Sequence, residues 1–250
     1  MVKMLARRTI VFAYLLPAIL LAAGGSAHAL DFKIDAGGRA AGPLEVAGLL
    51  TLITLAPAIL VMLTSFTRIV IVLSLLRQAL GLQQTPPNTV ITGIALFLTL
   101  LVMAPTWQRI QKVALDPYLA GTLTPGKAAE LAEEPLQQFM LHQTRREDIE
   151  MARKLLAKGN LELPGGDPAA LPFYALVPAF VSSELTSAFR VGFLIYLPFL
   201  VIDLVTSAIL MALGMFMLPP AMVSIPLKLL IFVLASGWPL LLGSLAGSFA

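Results

Sequence analysis

Six charged residues stand inside otherwise apolar runs of this 250-residue chain: Arg68, Arg77, Glu184, Arg190, Asp203 and Lys228. A charge at the centre of a bilayer costs roughly 2.5–3.5 kcal/mol even on lenient insertion scales, so each needs a partner, water or a task. Three kinds of chemistry fit such residues: sensing voltage, relaying protons or ions, and pairing for structure. A voltage sensor stacks its arginines along one stripe of a helix. Arg68 and Arg77 are nine residues apart, which at about 100° per residue puts them on opposite sides. That excludes the sensor. Two readings remain for them. One is snorkelling beside the polar turn Gln83-Gln84-Thr85-Pro86-Pro87, which the positive-inside rule then places in the cytoplasm. The other is a helix with protein or water on both faces.

A relay wants a denser chain of ionisable groups than Glu184, Arg190, Asp203 and Lys228 provide, so structural pairing is the expectation for these four. Glu184 and Lys228 are one candidate pair. Glu184 lies 35 residues before Pro219 and Lys228 eight after Pro220, so a simple hairpin does not align them. Contact would need a bent helix or a neighbouring subunit. Other chemistry is thinly represented. The absence of cysteine excludes thiol nucleophiles and thiolate metal sites. His142 is the only histidine outside the N-terminal 29 residues, and no GxSxG occurs. We expect no catalysis, no cofactor and no metal.

The elements that carry these charges belong to a membrane protein. The chain is 58% hydrophobic and 12% charged, with a mean hydropathy of +0.88, far from soluble usage. Its net charge of +3 comes from Lys3, Arg7 and Arg8, and the remainder carries no basic excess that would attract nucleic acid. Residues 1–29 read as a signal peptide: a basic start, the apolar stretch Ile10–Ala23, and Ala27-His28-Ala29 as a small-x-small site. Cleavage after Ala29 is expected, with an uncleaved signal anchor as the alternative. A segment 30–43 then opens the mature chain.

Four apolar blocks follow: Leu44–Leu80, Asn88–Ala104, Leu171–Leu218 and Ala221–Phe249. The first and third are too long for one perpendicular span of a core about 30 Å thick. Pro57, Pro178 and Pro198 offer kinks within them. The reading is therefore a first helical hairpin over 44–105 and a second over 171–250, both bent. A polar helical insert, 106–170, separates them with eight basic and nine acidic residues. Within it Thr144-Arg145-Arg146-Glu147 reads as a capping box opening an amphipathic helix with Ile149, Ala152, Leu155 and Leu156 on one face. A second helix is expected over Lys127–Leu141, after Thr124-Pro125 and kinked at Pro135. Pro86, Pro87, Gly214, Pro219 and Pro220 mark breaks or turns. Just ahead of the last two lies Met215-Phe216-Met217, whose adaptable thioethers could seal a pore or merely fill apolar space.

The stretch LTSFTRIVIVLSLLRQALGLQQTPPNTVITGIALFLTLLVMAP, Leu63 to Pro105, resembles the first signature of the FliP family of flagellar biosynthetic proteins. A second match runs from Pro178 through Glu184, Arg190, Tyr196, Phe199 and Asp203 to Met217-Leu-Pro-Pro220, and the end PLKLLIFVLASGWPLLLGSLAGSF also fits. The resemblance covers nearly everything from Leu44 to Phe249. It implies an all-α membrane protein of bent or broken hairpins assembling into a helical ring. It implies the pore-forming subunit of a type III export gate in the bacterial inner membrane and flagellar basal body, exposed on the periplasmic side.

The partners it implies are further copies in a homo-pentameric ring, two smaller FliQ-like and FliR-like membrane subunits, a larger export-gate subunit, the basal-body ring and unfolded exported substrates. By resemblance Met215, Phe216 and Met217 form the pore gasket, with phenylalanine where the family more often has a third methionine. Glu184 and Lys228 correspond to the family's buried charges, used in subunit packing and gate stability. The flagellar branch is favoured over the injectisome branch by the signal peptide and long mature N-terminus. An ion-coupled transporter is the alternative that the intramembrane charges suggest, and it predicts inverted repeats that the sequence lacks.

Overall fold

The computed structural model describes residues 35–36, 39–40, 50–51, 54–55, 57–58, 61–158 and 171–249. The expected signal peptide with Ala27 and Ala29, most of segment 30–43, and the Gly/Pro-rich end of the polar insert lie outside these residues. The chain divides into two compact units, Met1–Ile59 and Leu60–Ala250. In the first, strands β1 (Asp35–Ala36) and β2 (Arg39–Ala40) pair antiparallel, with Asp35 opposite Ala40.

The second unit is helical. Helix α1 (Phe66–Ala79) is rich in Val and Ile, so packing rather than propensity forms it. Ile69, Val72, Leu73, Leu76 and Ala79 are buried at helical spacing along one face. The overlong first block is interrupted at Leu63–Ser65, just ahead of α1. Beyond α1, Gly81 takes φ +77°. The Gly81 amide donates to the Gln78 carbonyl and the Leu82 amide to the Arg77 carbonyl, a Schellman ending that satisfies two orphan carbonyls. A Cβ on Gly81 would also sit 2.9 Å from Ile225.

Helix α2 (Asn88–Val102) starts after Pro87 and buries only Ile91, Ala95 and Thr99. The chain bends by 57° between it and the helical stretch Ala104–Leu119. That stretch comprises α3 (Ala104–Ile110), a π-helical turn (Gln111–Leu115) and α4 (Asp116–Leu119). Helix α5 (Pro125–Gln143) follows, opened by the Thr124 side chain accepting from the Lys127 amide and continuing through Pro135. Helix α6 (Arg146–Lys158) is the amphipathic helix expected there, with Ile149, Ala152 and Leu156 inward. The Thr144 hydroxyl donates to the Met140 carbonyl at 2.6 Å. It therefore closes α5, in place of the capping role expected for it at the start of α6.

Helix α7 (Phe173–Ala212) is continuous over 40 residues, about 60 Å at 1.5 Å per residue. Pro178 and Pro198 lie inside it and do not end it. Each removes one backbone bond, and the turns on either side carry the helix through. The chain turns after α7 between Gly214 and Pro220, where a break was expected, and α8 (Ala221–Leu234) and α9 (Gly237–Gly247) return. These two are bent by 66° at their junction. By length and composition α7 alone can cross a membrane among the described residues, and up to three spans result if each bent pair counts as one. The main core joins α1, α2 and α7 to the ends of α8 and α9 through Ile69, Leu76, Ala95, Ala188, Phe232 and Leu245.

Candidate functional site

The charged positions resolve into two nodes at opposite ends of α1. At its start, Arg68 is 5% exposed and Glu184 is fully buried. Helix α1 places the arginine and α7 the carboxylate. Arg68 Nε donates to Glu184 Oε2 at 2.9 Å and Nη2 to Oε1 at 2.5 Å, a bidentate fork that only arginine can make. Further acceptors converge on the same guanidinium: Gln143 Oε1 at 3.4 Å, and the Ser248 carbonyl and hydroxyl at 3.3 and 3.2 Å. The Phe249 ring covers it with its centroid 4.0 Å away.

A hydrogen-bonded seam continues from this node into α6. The Ser183 hydroxyl donates to the Gln143 carbonyl and accepts from the Arg145 amide. Ser182 donates to Asp148 Oδ1, and Arg145 Nε donates to Asp148 Oδ2, each at 3.0 Å. This seam fastens the junction of α5 and α6 to α7.

At the far end of α1, Lys228 of α8 is 3% exposed. Its Nζ donates to Asp203 Oδ2 at 2.6 Å and to the Ala79 carbonyl at 3.0 Å. Ala79 ends α1, so the ammonium also meets the negative end of that helix dipole and one of its unpaired carbonyls. The candidate pair Glu184–Lys228 is thus replaced by two pairs, Arg68–Glu184 and Lys228–Asp203. The reason is topological. Asp203 lies nine residues before the end of α7 and Lys228 seven after the start of α8, so their hairpin aligns these two.

The remaining charges differ in kind. Arg77 is half-buried, and its Nη1 donates to Asn88 Oδ1 at 2.6 Å and the Pro86 carbonyl at 3.2 Å. It ties the turn between α1 and α2. Arg190 is exposed on α7 and makes no ion pair among the described residues.

The turn between α7 and α8 is built for display. Gly214 adopts φ +74°. Its amide donates to the Met211 carbonyl and that of Met215 to the Leu210 carbonyl, so α7 closes with the same Schellman pattern as α1. Pro220 is the N-cap of α8. Between these stops, Met215 is 45% exposed, Phe216 79% and Met217 97%. Three large apolar side chains on an exposed turn are uncommon unless something covers them. Gln143, Ser248, Phe249 and Asn88 are polar or aromatic partners that sequence reasoning missed. Only the fold places them beside the arginines.

A model of the FliP family matches residues 49–245. A flagellar biosynthetic protein FliP of Pectobacterium carotovorum subsp. carotovorum is 50% identical over 201 residues, covering 80% of this chain and 76% of the relative. The protein of that name in Caulobacter vibrioides is 45% identical over 241 residues, covering 96% and 89%. The one in Bacillus subtilis is 46% identical over 201 residues, covering 80% and 89%. The matched range takes in both charge pairs and the exposed turn, and the chain belongs to the FliP family.

Proposed function

We propose that this chain is the pore-forming subunit of a flagellar protein-export gate. In this reading several copies form a helical ring in the bacterial inner membrane, joined by two smaller FliQ-like and FliR-like membrane subunits. The relatives' names supply the flagellar context. The observation that carries the gate reading is the tip at Met215–Met217, where three apolar side chains project from a turn that no other described residue covers. Repeated around a ring, they form a constriction that excludes water and ions. The methionines are unbranched and yield to a passing polypeptide, while Phe216 adds bulk.

The charge nodes fit a packing role. Both pairs are neutral and close onto backbone carbonyls, so α1, α7 and α8 present little charge to lipid or to neighbouring subunits. An ion relay is poorly served. Glu184 and Asp203 are about 28 Å apart along α7, and Arg190 is the only charged residue between them. The tip shares an end of the unit with the Gly81–Pro87 turn, since Ile225 packs at Gly81. The insert lies at the Arg68 end. With the Arg77 turn on the cytoplasmic side, the insert faces the periplasm.

Native mass spectrometry tests the assembly. The mature chain in detergent, alone and coexpressed with its two small membrane partners, is expected to give a discrete multi-copy ring that takes them up. A monomer or dimer indifferent to both would return the ion-coupled transporter to first place.

A further inference from the structure

Ser248 and Phe249 follow α9 and lie across Arg68. All five N–H donors of that guanidinium have acceptors: two on Glu184, one on Gln143 and two on Ser248. The Phe249 ring supplies the aromatic cover, and its carbonyl accepts from Gln143 Nε2 at 3.2 Å. Without this segment Nη1 loses both partners and one face of the guanidinium is bared. At the opposite end of α1, about 16 Å away along the helix, Lys228 binds α8 to Ala79. The pair α8–α9 is thus fastened to α1 at both ends, with its 66° bend between the fastenings.

That bend is held in place by its surroundings. Ser236, at the junction, takes φ 52°, a left-handed conformation that is costly for any residue but glycine. Phe232 fills the space where a side chain at Gly237 would go and meets Trp238 edge-on. The junction is strained and the two ends are tied.

We propose that Ser248–Phe249 is a strap, and that its docking on Arg68 selects the bent form of α8–α9. Release from Arg68 lets α9 swing from α1 as a body hinged at Ser236. The two states differ in named contacts: the Nη1 bonds, the ring over the guanidinium, the Gln143 bond to the strap, and the packing of Leu241 and Leu245 in the main core. Gln143 ends α5, so movement of the polar helices loosens the strap and biases the same equilibrium. This inference does not depend on the channel reading.

The chain has no cysteine, so Gln78→Cys and Ser244→Cys give a clean spin-label pair at exposed positions on α1 and α9. Pulsed dipolar spectroscopy of the full chain in detergent should give one narrow distance. Phe249→Ala should add a longer distance, with the swung-out state roughly tenfold more populated, as loss of a desolvated cation–π contact implies. Phe249→Leu keeps apolar volume and loses the ring over the charge, and should give an intermediate population, with helix content checked by circular dichroism. Retention of the parent distance in both variants overturns the strap. So does an unfolded alanine variant beside a leucine variant with the parent distance, since Phe249 would then be packing alone.

Discussion

Arginine stands at position 68 because five donors are needed there, in a planar fork, where lysine offers three around a point. Removing one partner of a buried pair leaves an uncompensated charge, at a cost of roughly 3–5 kcal/mol. Glu184→Gln should therefore lower thermal stability in detergent sharply, and Arg68→Lys should fail to restore it. Asp203→Asn should cost less, because Asp203 is 36% exposed and Lys228 keeps the Ala79 carbonyl. Equal destabilisation by Glu184→Gln and Asp203→Asn would contradict this ranking. The six charged positions were legible in the sequence as misfits in apolar runs. Their partners were less so. Arg68 and Glu184 are separated by 116 residues, and no local spacing predicts such a contact. Asp203 and Lys228 were within reach of the hairpin arithmetic, once the turn was centred on Gly214–Pro220 and the partner sought nearer to it than Glu184.

Helix α1 packs against α7 at Gly192, where the Leu75 side chain occupies the space a Cβ would take. Gly192→Ala should push the helices apart and cost about 1–3 kcal/mol, as overpacking does. Thermal unfolding measures it, and a variant as stable as the parent would mean the two helices separate freely. Element types were largely legible. The amphipathic α6, the Thr124 start of α5 and the stops at Pro87 and Gly214 follow from period, capping chemistry and backbone restriction. Pro178 and Pro198, read as kink positions, lie within a continuous α7, since a proline removes only one bond of a ladder that forty residues sustain. One expectation failed for a physical reason. Thr144 closes the helix before it, because its hydroxyl reaches back to Met140 more readily than forward.

Taken as a whole molecule, the second unit pairs the buried charges of α1, α7 and α8 and shows apolar residues on its surface. Phe97, Leu101, Phe193, Leu194, Val201 and Leu204 all face outward from α2 and α7. Lipid or further subunits must cover such a surface. Ring order and partner choice rest on the resemblance alone and belong to the proposal, because a single sequence carries its own contacts and none of its neighbours'. The tip is where the proposed function is most exposed to test. The direct measurement is ion conductance of the assembled complex in planar bilayers, comparing the parent with M215G/F216G/M217G. The parent should be closed and the triple variant should conduct small ions, because glycine leaves the constriction wet. A triple variant that assembles normally and stays as impermeable as the parent would contradict the gate.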